Sequence, residues 1–257
     1  LRRTEAINFY KPDIETLCAH QQRRGVDASS FSLSVIDTPG ASVAVIVDGG
    51  RLAVFQNEFG ILGAPFLASG YDGIRKVVTS DLFWGWADDL AEGSGLQVLS
   101  FNWWQGERHL LTNKPITGPA DLAGVRMRTP GAPVWVGTIG AMGATPTPMA
   151  WGDVYNALQT NVLDAAEAQI PAIGGAKLDE VISYVTKTGH INLITGMVTS
   201  AAWVDSLPED LQALLFEEAL KAGDIASYGT QDSLDRLEAE LVAKRVTVSE
   251  IDTTEFE

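Results

Sequence analysis

VRMRTPGAPVWVGTIGAMGATPTPMAWGDVYNALQTNVLDAAEA, residues 125–168, decides the fold of this chain. The stretch opens with a predicted strand whose alternation places Arg126 and Arg128 on one face and Val125 and Met127 on the other. A Pro-Gly pair ends this strand, because proline lacks the donor that a β-ladder needs. Arg128 is therefore predicted to lie at the carboxyl end of a strand, beside a loop.

Two helices and two further extended segments follow. Apolar spacing predicts a helix over 134–142, and the Thr-Pro-Thr-Pro run to Pro148 is predicted to be extended, because a residue before proline is disfavoured in the helical region. A second helix is predicted after Trp151, and a short strand over 162–167 ends at Glu167. An arginine, a tryptophan and a carboxylate are thereby predicted at the mouth of a small parallel sheet, where open α/β sheets bind ligands.

The same residues resemble a known family. GVRMRTPG, GATPTPMAWGDVYNALQTN and VLDAAEA are similar to the core signature of the substrate-binding proteins of tripartite ATP-independent periplasmic (TRAP) transporters, the DctP-like family. The resemblance extends to GAPFLASGYD, GERHLLTNKPI, Thr188-Gly189-His190 and WVDSLPE, and covers residues 40–252. The combined order and spacing of these blocks is specific, whereas no single block is.

The resemblance implies an α/β, two-lobed periplasmic-binding-protein fold with a ligand cleft between the lobes. Lobe I is expected to comprise 1–105 plus 194–232, and lobe II 106–193 plus 233–257. A monomeric periplasmic protein is expected. Because no signal-peptide pattern opens the sequence, its leader is expected to have been removed or never included, and residues 1–39, which do not match the family's first strands and helix, suggest a truncated N-terminus.

Composition limits the classes of partner. Eighteen basic and thirty-three acidic residues give a net charge of -15, which repels nucleic acid and anionic membrane surfaces. An anionic ligand therefore needs a local arginine. No run approaches the roughly 18 apolar residues of a membrane span, and the lone Cys18 cannot form an internal disulfide. A protein that is not embedded in a membrane and binds no nucleic acid is expected.

Carboxylate recognition is the central hypothesis, since the planar guanidinium of arginine can donate two parallel hydrogen bonds to both carboxylate oxygens. The resemblance implies that Arg128 holds the ligand carboxylate, that Arg108 assists, and that Trp151 forms an aromatic wall. It further implies that Glu167 orients the arginines through ion pairs. Read alone, Arg128 would be an exposed strand arginine, and Arg108 a surface ion-pair partner.

Two more positions are candidate ligand contacts. Asp48, at the tip of a predicted buried strand starting at Ser42, could meet a ligand hydroxyl or amine, or could equally be a turn residue before two glycines. Trp104 could stack on a ligand; adjacent strand residues face opposite ways, so at least one of Trp103 and Trp104 is expected to be packing. His190 is expected to support the cleft.

The family often has Asn where this chain has Ala168, which favours a more apolar pocket. Other elements are predicted less specifically: helical structure over 72–90, a strand from Leu96, and a helix whose capping box pairs Ser206 with Glu209. In the capping box the serine and glutamate side chains bond to free backbone N–H groups at the start of the helix.

An enzyme is the competing class, but its usual motifs are missing. The sequence has no Gly-x-Ser-x-Gly elbow, phosphate-binding glycine loop or dinucleotide fingerprint. Its three histidines, His20, His109 and His190, lack metal-ligand spacing, so no cofactor or metal is expected. The resemblance therefore implies a non-enzymatic TRAP solute-binding protein that captures a small organic acid and delivers it to the membrane subunits. The alternatives are a binding protein of an ATP-driven importer, or a two-lobed enzyme acting on a small carboxylate.

Overall fold

The structure, a computed structural model, describes residues 44–256. The expectations for residues 1–39, including Cys18 and His20, lie outside this range. The strands of the described part are β1 (Val45–Asp48), β2 (Leu96–Thr112), β3 (Arg126–Thr129), β4 (Thr145–Pro148), β5 (Ala165–Gln169), β6 (Tyr184–Ser200) and β7 (Thr247–Glu250). Its α-helices are α1 (Gly49–Leu52), α2 (Gly70–Val78), α3 (Asp81–Ser94), α4 (Pro133–Ala141), α5 (Val154–Gln159), α6 (Ile170–Gly175), α7 (Ala201–Asp205) and α8 (Glu209–Ala243).

Within these residues the strands form one seven-stranded sheet in the order β1-β6-β2-β5-β3-β4, with β7 also paired to β6. Strands β2 and β6 are 17 residues long and antiparallel, and they run the whole length of the sheet. At one end β1 pairs with β6, and at the other β7 and β5 flank the central pair. Strand β3 lies between β4 and β5 and pairs in parallel with both, which gives the small parallel sheet that the sequence predicts.

A separate hydrophobic core surrounds each end of the sheet. We call the half built on the first core, which includes Phe59, Tyr71 and Phe83, the first lobe. The half built on two adjoining clusters, which include Leu158, Ile173 and Ile139, is the second lobe. The two-lobed α/β prediction is therefore confirmed, whereas the residue boundaries given for the lobes stay a prediction.

Helix α8, 35 residues long, packs against both lobes. Leu234 contacts the first core and also the main cluster of the second, and Leu237 and Leu241 continue along the second. None of the helices in residues 44–256 combines the length and the apolar character that a bilayer span requires.

Several local predictions are corrected. Residues 72–90 are helical but are divided into two helices, because Ser80 begins α3 with its hydroxyl accepting the N–H of Phe83. The β1 strand is not fully buried, since Ile46 is 41% exposed. The predicted capping box is wrong: within residues 44–256 no side chain caps the start of α8, and the Ser206 hydroxyl donates instead to the carbonyl of Trp203.

A polar network attaches α8 to the first lobe. The Asp224 carboxylate accepts hydrogen bonds from Tyr71 Oη at 2.5 Å, from Arg75 Nε at 2.7 Å and from Asn102 Nδ2 at 2.8 Å. Arg75 Nη2 adds a second bond at 2.8 Å, which makes the ion pair bidentate. The Arg75 side chain, followed by the Tyr71 and Asn102 bonds, holds the pKa of Asp224 at about 2.

We expect Asp224→Ala to lower the free energy of unfolding by about 2 kcal/mol, because it leaves three donors without their acceptor in a partly exposed site where solvent screens the charges. Urea denaturation measures this loss. Glu218→Ala, on the same helix, removes only an exposed bond with Lys221 and should leave the unfolding midpoint unchanged. Equal midpoints for Asp224→Ala and wild type would contradict the role given to this network.

Candidate functional site

The candidate site lies at the carboxyl ends of the parallel strands β3 and β5. Arg128 lies next to last on β3, and Glu167 occupies β5 with its side chain fully buried. Arg108 belongs to β2 and pairs directly with Gln169 across the β2–β5 ladder. Three neighbouring strands thus place two arginines and one carboxylate together.

Arg108 is almost completely engaged by its neighbours. Its Nε donates to Glu167 Oε2, and its Nη2 donates to Glu167 Oε1 at 2.8 Å and to the Glu167 carbonyl at 2.7 Å. Its Nη1 donates to Gln169 Oε1 at 3.1 Å, and its guanidinium lies 4.8 Å from the ring centre of Trp135. Four of its five N–H groups are therefore used within the protein, which leaves too few to form a fork with a ligand.

Glu167 is held as a carboxylate by these contacts. Burial acts to raise its pKa, but the charge and hydrogen bonds of Arg108, together with His190, bring that pKa down to about 2. Thr129 Oγ1 also donates to Glu167 Oε1 at 3.2 Å. His190 Nε2 lies 3.7 Å from Glu167 Oε2, and its Nδ1 is 2.7 Å from Thr188 Oγ1, so the histidine borders the ion pair.

Arg128 differs from Arg108 in how its donors are used. It is 3% exposed, its Nε donates to the Met149 carbonyl at 3.0 Å, and its guanidinium lies 5.2 Å from the ring centre of Trp151. Within residues 44–256 its two terminal nitrogens have no hydrogen-bond partner. Burial lowers the pKa of Arg128 to about 10, against the attraction of Glu167, so the guanidinium is charged at neutral pH.

The first lobe contributes an ion pair close to Arg128. Asp48, buried at the end of β1, accepts the backbone N–H of Arg51 at 3.1 Å and pairs with the Arg51 guanidinium. The charge of Arg51 acts on Arg128, and Gly50 packs against Ala132, in the loop after β3. The site therefore combines three arginines with two carboxylates, an excess of positive charge that suits an anion.

In the described part of the chain no group of three or more His, Cys, Asp and Glu side chains could hold a metal ion. His109 is buried, accepts the N–H of Gly189 at 3.1 Å, and has its pKa lowered to about 3 by that burial. It is therefore neutral and serves the strand pairing.

Comparison with known proteins identifies the family. The family model of the bacterial extracellular solute-binding proteins, family 7 (DctP), matches residues 38–257. The chain belongs to this family. The identification from the sequence motifs is thus confirmed, and the family consists of solute-binding proteins rather than enzymes.

Individual relatives agree with this assignment. A solute-binding protein of Roseobacter denitrificans is 29% identical over 84% of this chain; the match spans 66% of that protein, so the chain covers a little under two-thirds of such relatives. A TRAP periplasmic solute-binding protein of Escherichia fergusonii, solved in an apo open form, is 42% identical, with a TM-score of 0.81, over 92% of this chain and 83% of its own. One from Actinobacillus succinogenes, solved with bound L-galactonate, is 28% identical over 87% of this chain and 74% of its own, with a TM-score of 0.78.

The structure brings four of the six predicted site residues together: Arg128, Arg108, Trp151 and Glu167. Asp48 lies across from them in the first lobe. Trp104 is placed elsewhere, in the first core, where its Nε1 donates to Asn192 Oδ1 at 2.8 Å. It packs in the protein interior and presents no wall beside the arginines.

Sequence reasoning missed three contributors: Gln169, Trp135 and Arg51. Gln169 could have been found, because it lies two residues after Glu167 and strand residues two apart share a face. It supplies a polar side chain next to Ala168, which is itself buried in the second lobe. Trp135 gave only a helical apolar signal, and Arg51 gave none.

We expect Glu167→Gln to lower the free energy of unfolding at neutral pH by about 3 kcal/mol, because the buried charge of Arg108 then loses its counterion. Since the folded-state pKa of Glu167 is depressed, its stabilisation is present above about pH 4.5 and is lost as the pH falls through about 2. The difference between variant and wild type should therefore shrink over that interval. Chemical denaturation at several pH values measures it.

Asp164→Asn provides the matched control, because Asp164 pairs with Arg126 at the exposed start of β3. Its effect at neutral pH should be far smaller. If Asp164→Asn lowered the free energy of unfolding as much as Glu167→Gln does, burial of the Arg108–Glu167 ion pair would not be the cause of the larger effect.

Proposed function

We propose that this chain is the solute-binding component of a TRAP transporter. In the periplasm it captures a small organic acid by its carboxylate and delivers the acid to the membrane subunits of the transporter. The observation that carries the proposal is Arg128, a buried, charged arginine whose terminal nitrogens have no partner within the described residues while its Nε is fixed. A buried charge is costly unless a counterion accompanies it, and a ligand carboxylate supplies that counterion.

Each neighbouring residue has a role in this binding mode. The two terminal nitrogens of Arg128 donate parallel bonds to the ligand carboxylate, and Trp151 limits where the guanidinium can turn. Arg108, held by Glu167, supports the positive potential without forming the fork. Asp48 and Arg51 face the rest of the ligand from the first lobe, and their opposite charges suit hydroxyl groups, which both donate and accept hydrogen bonds.

A sugar acid is the ligand class that this arrangement favours. It combines a carboxylate for Arg128 with several hydroxyls for the Asp48–Arg51 pair. The A. succinogenes relative was solved with L-galactonate, a compound of this class. The family match favours a TRAP system over the ATP-driven importer considered from the sequence.

We expect L-galactonate to raise the melting temperature of the wild-type protein, and Arg128→Ala to weaken binding by about 100-fold, because two charge-assisted hydrogen bonds are lost. Differential scanning fluorimetry and isothermal titration calorimetry measure these effects. L-Galactose, which has no carboxylate, should give no shift. The acid should be recovered unchanged after incubation; formation of a product would favour the enzyme alternative.

Arg126→Ala is the control, since Arg126 lies on the same strand but is exposed and paired with Asp164. It should respond to L-galactonate as the wild type does. If Arg128→Ala, folded by circular dichroism, kept the wild-type response, Arg128 would not be the carboxylate anchor.

A further inference from the structure

The two lobes touch at a seam formed by glycines of the first lobe and the start of α4 in the second. A Cβ added at Gly63 would collide with Trp135 Nε1, and would lie 2.9 Å from Trp135 Cδ1 and 3.0 Å from Val134 Cγ1. A Cβ at Gly50 would lie 2.9 Å from the Cβ of Ala132. Real Cβ atoms essentially never approach other atoms below 3.0 Å, so both contacts require glycine.

Backbone conformation does not explain these two glycines. Neither Gly50 nor Gly63 has a positive φ angle, so other residues could adopt their backbone geometry. Glycine is needed here because the second lobe approaches closely. The edge of the Trp135 indole therefore occupies the volume that a side chain at Gly63 would need.

Trp135 also contacts the buried ion pair of the site. Its ring lies 4.8 Å from the Arg108 guanidinium, and it packs with Ile191 and Leu193 of β6. It is 3% exposed, and within the described residues its Nε1 has no hydrogen-bond partner. One side chain thus joins the seam at Gly63 to Arg108.

We propose that Trp135 is a positioning residue that couples contact between the lobes to the placement of Arg108, and that the missing side chain at Gly63 sets how far the cleft closes. The inference deepens the proposed function and rests on it for the ligand. With the lobes together, the indole is enclosed by Gly63, Arg108 and β6, and cannot turn. With the lobes apart, the Gly63 side of this enclosure is lost, and the ring over Arg108 is no longer confined.

A double-mutant cycle between Gly63 and Trp135 tests this coupling. Gly63→Ala should weaken L-galactonate binding by about tenfold, through faster release, because the methyl group keeps the closed state from forming fully. In a Trp135→Leu background the atoms that the methyl group meets are gone, and the same substitution should change the dissociation constant by no more than about twofold. An equal loss in both backgrounds would overturn the proposal.

Gly60→Ala is the matched control, because Gly60 lies in the same short helical segment, Asn57–Gly63, and its added Cβ would be 3.4 Å from the Cβ of Ala53. Binding should be unchanged in this variant. If Gly63→Ala does not fold, Trp135→Leu alone decides: the proposal requires faster release with an unchanged association rate. Release at the wild-type rate would contradict it.

Small-angle X-ray scattering with and without L-galactonate separates this proposal from the proposed function. Adding the acid should reduce the radius of gyration of the wild type and of Gly60→Ala, should reduce that of Gly63→Ala by less, and should reduce that of the Gly63→Ala/Trp135→Leu protein as much as that of the wild type. An equal decrease in Gly63→Ala and in the wild type would overturn the proposal. If L-galactonate changes neither the radius nor the melting temperature of the wild type, the ligand assignment fails, and the same comparison with D-glucuronate tests the contact between Gly63 and Trp135.

Discussion

The buried ion pair between Arg108 and Glu167 is the interaction on which the rest of the site depends. Both side chains are removed from water, where an isolated charge would be very costly, so each must keep the other in place. Because Arg108 lies on β2 and Glu167 on β5, the pair also fixes how the second lobe's strands lie against the long central strand. The geometry around Arg128 follows from this fixed base.

Two arginines in one site have separate tasks for a physical reason. Arg108 has used four of its five N–H groups on Glu167 and Gln169, and so acts as part of the scaffold. Among residues 44–256, Arg128 has a partner only for Nε, a backbone carbonyl, which orients the guanidinium without neutralising it. A protein with a net charge of -15 can in this way present a positive site to an anion.

Much of the site could be predicted from strand periodicity and proline chemistry. Alternation placed Arg128 on a definite face of β3, and the prolines of β4 required an extended segment, which in the structure is an edge strand paired with β3. Glu167 was predicted at the same sheet edge because a parallel neighbour must end there. These features depend on local chain geometry, which sequence patterns report directly.

Features that depend on long-range packing could not be predicted. The pair Trp103 and Trp104 gave no local signal of which ring enters the core, because that depends on β6 and α8. Ser206 had the sequence pattern of a cap but bonds to α7 instead. The contact between Gly63 and Trp135 joins residues 72 positions apart, and no periodicity reports such a pair.

The continuous central ladder has a mechanical consequence. Since β2 and β6 pass through both lobes, a change of angle between the lobes has to be taken up as twist and bend within hydrogen-bonded strands. Their pairing is irregular at four places between Val98 and Leu110: β2 has one extra residue at each of the first three, and β6 has three extra residues at the last. Because the hydrogen-bond ladder is disrupted at such bulges, bending between the lobes is expected to occur mainly in this part of the two strands.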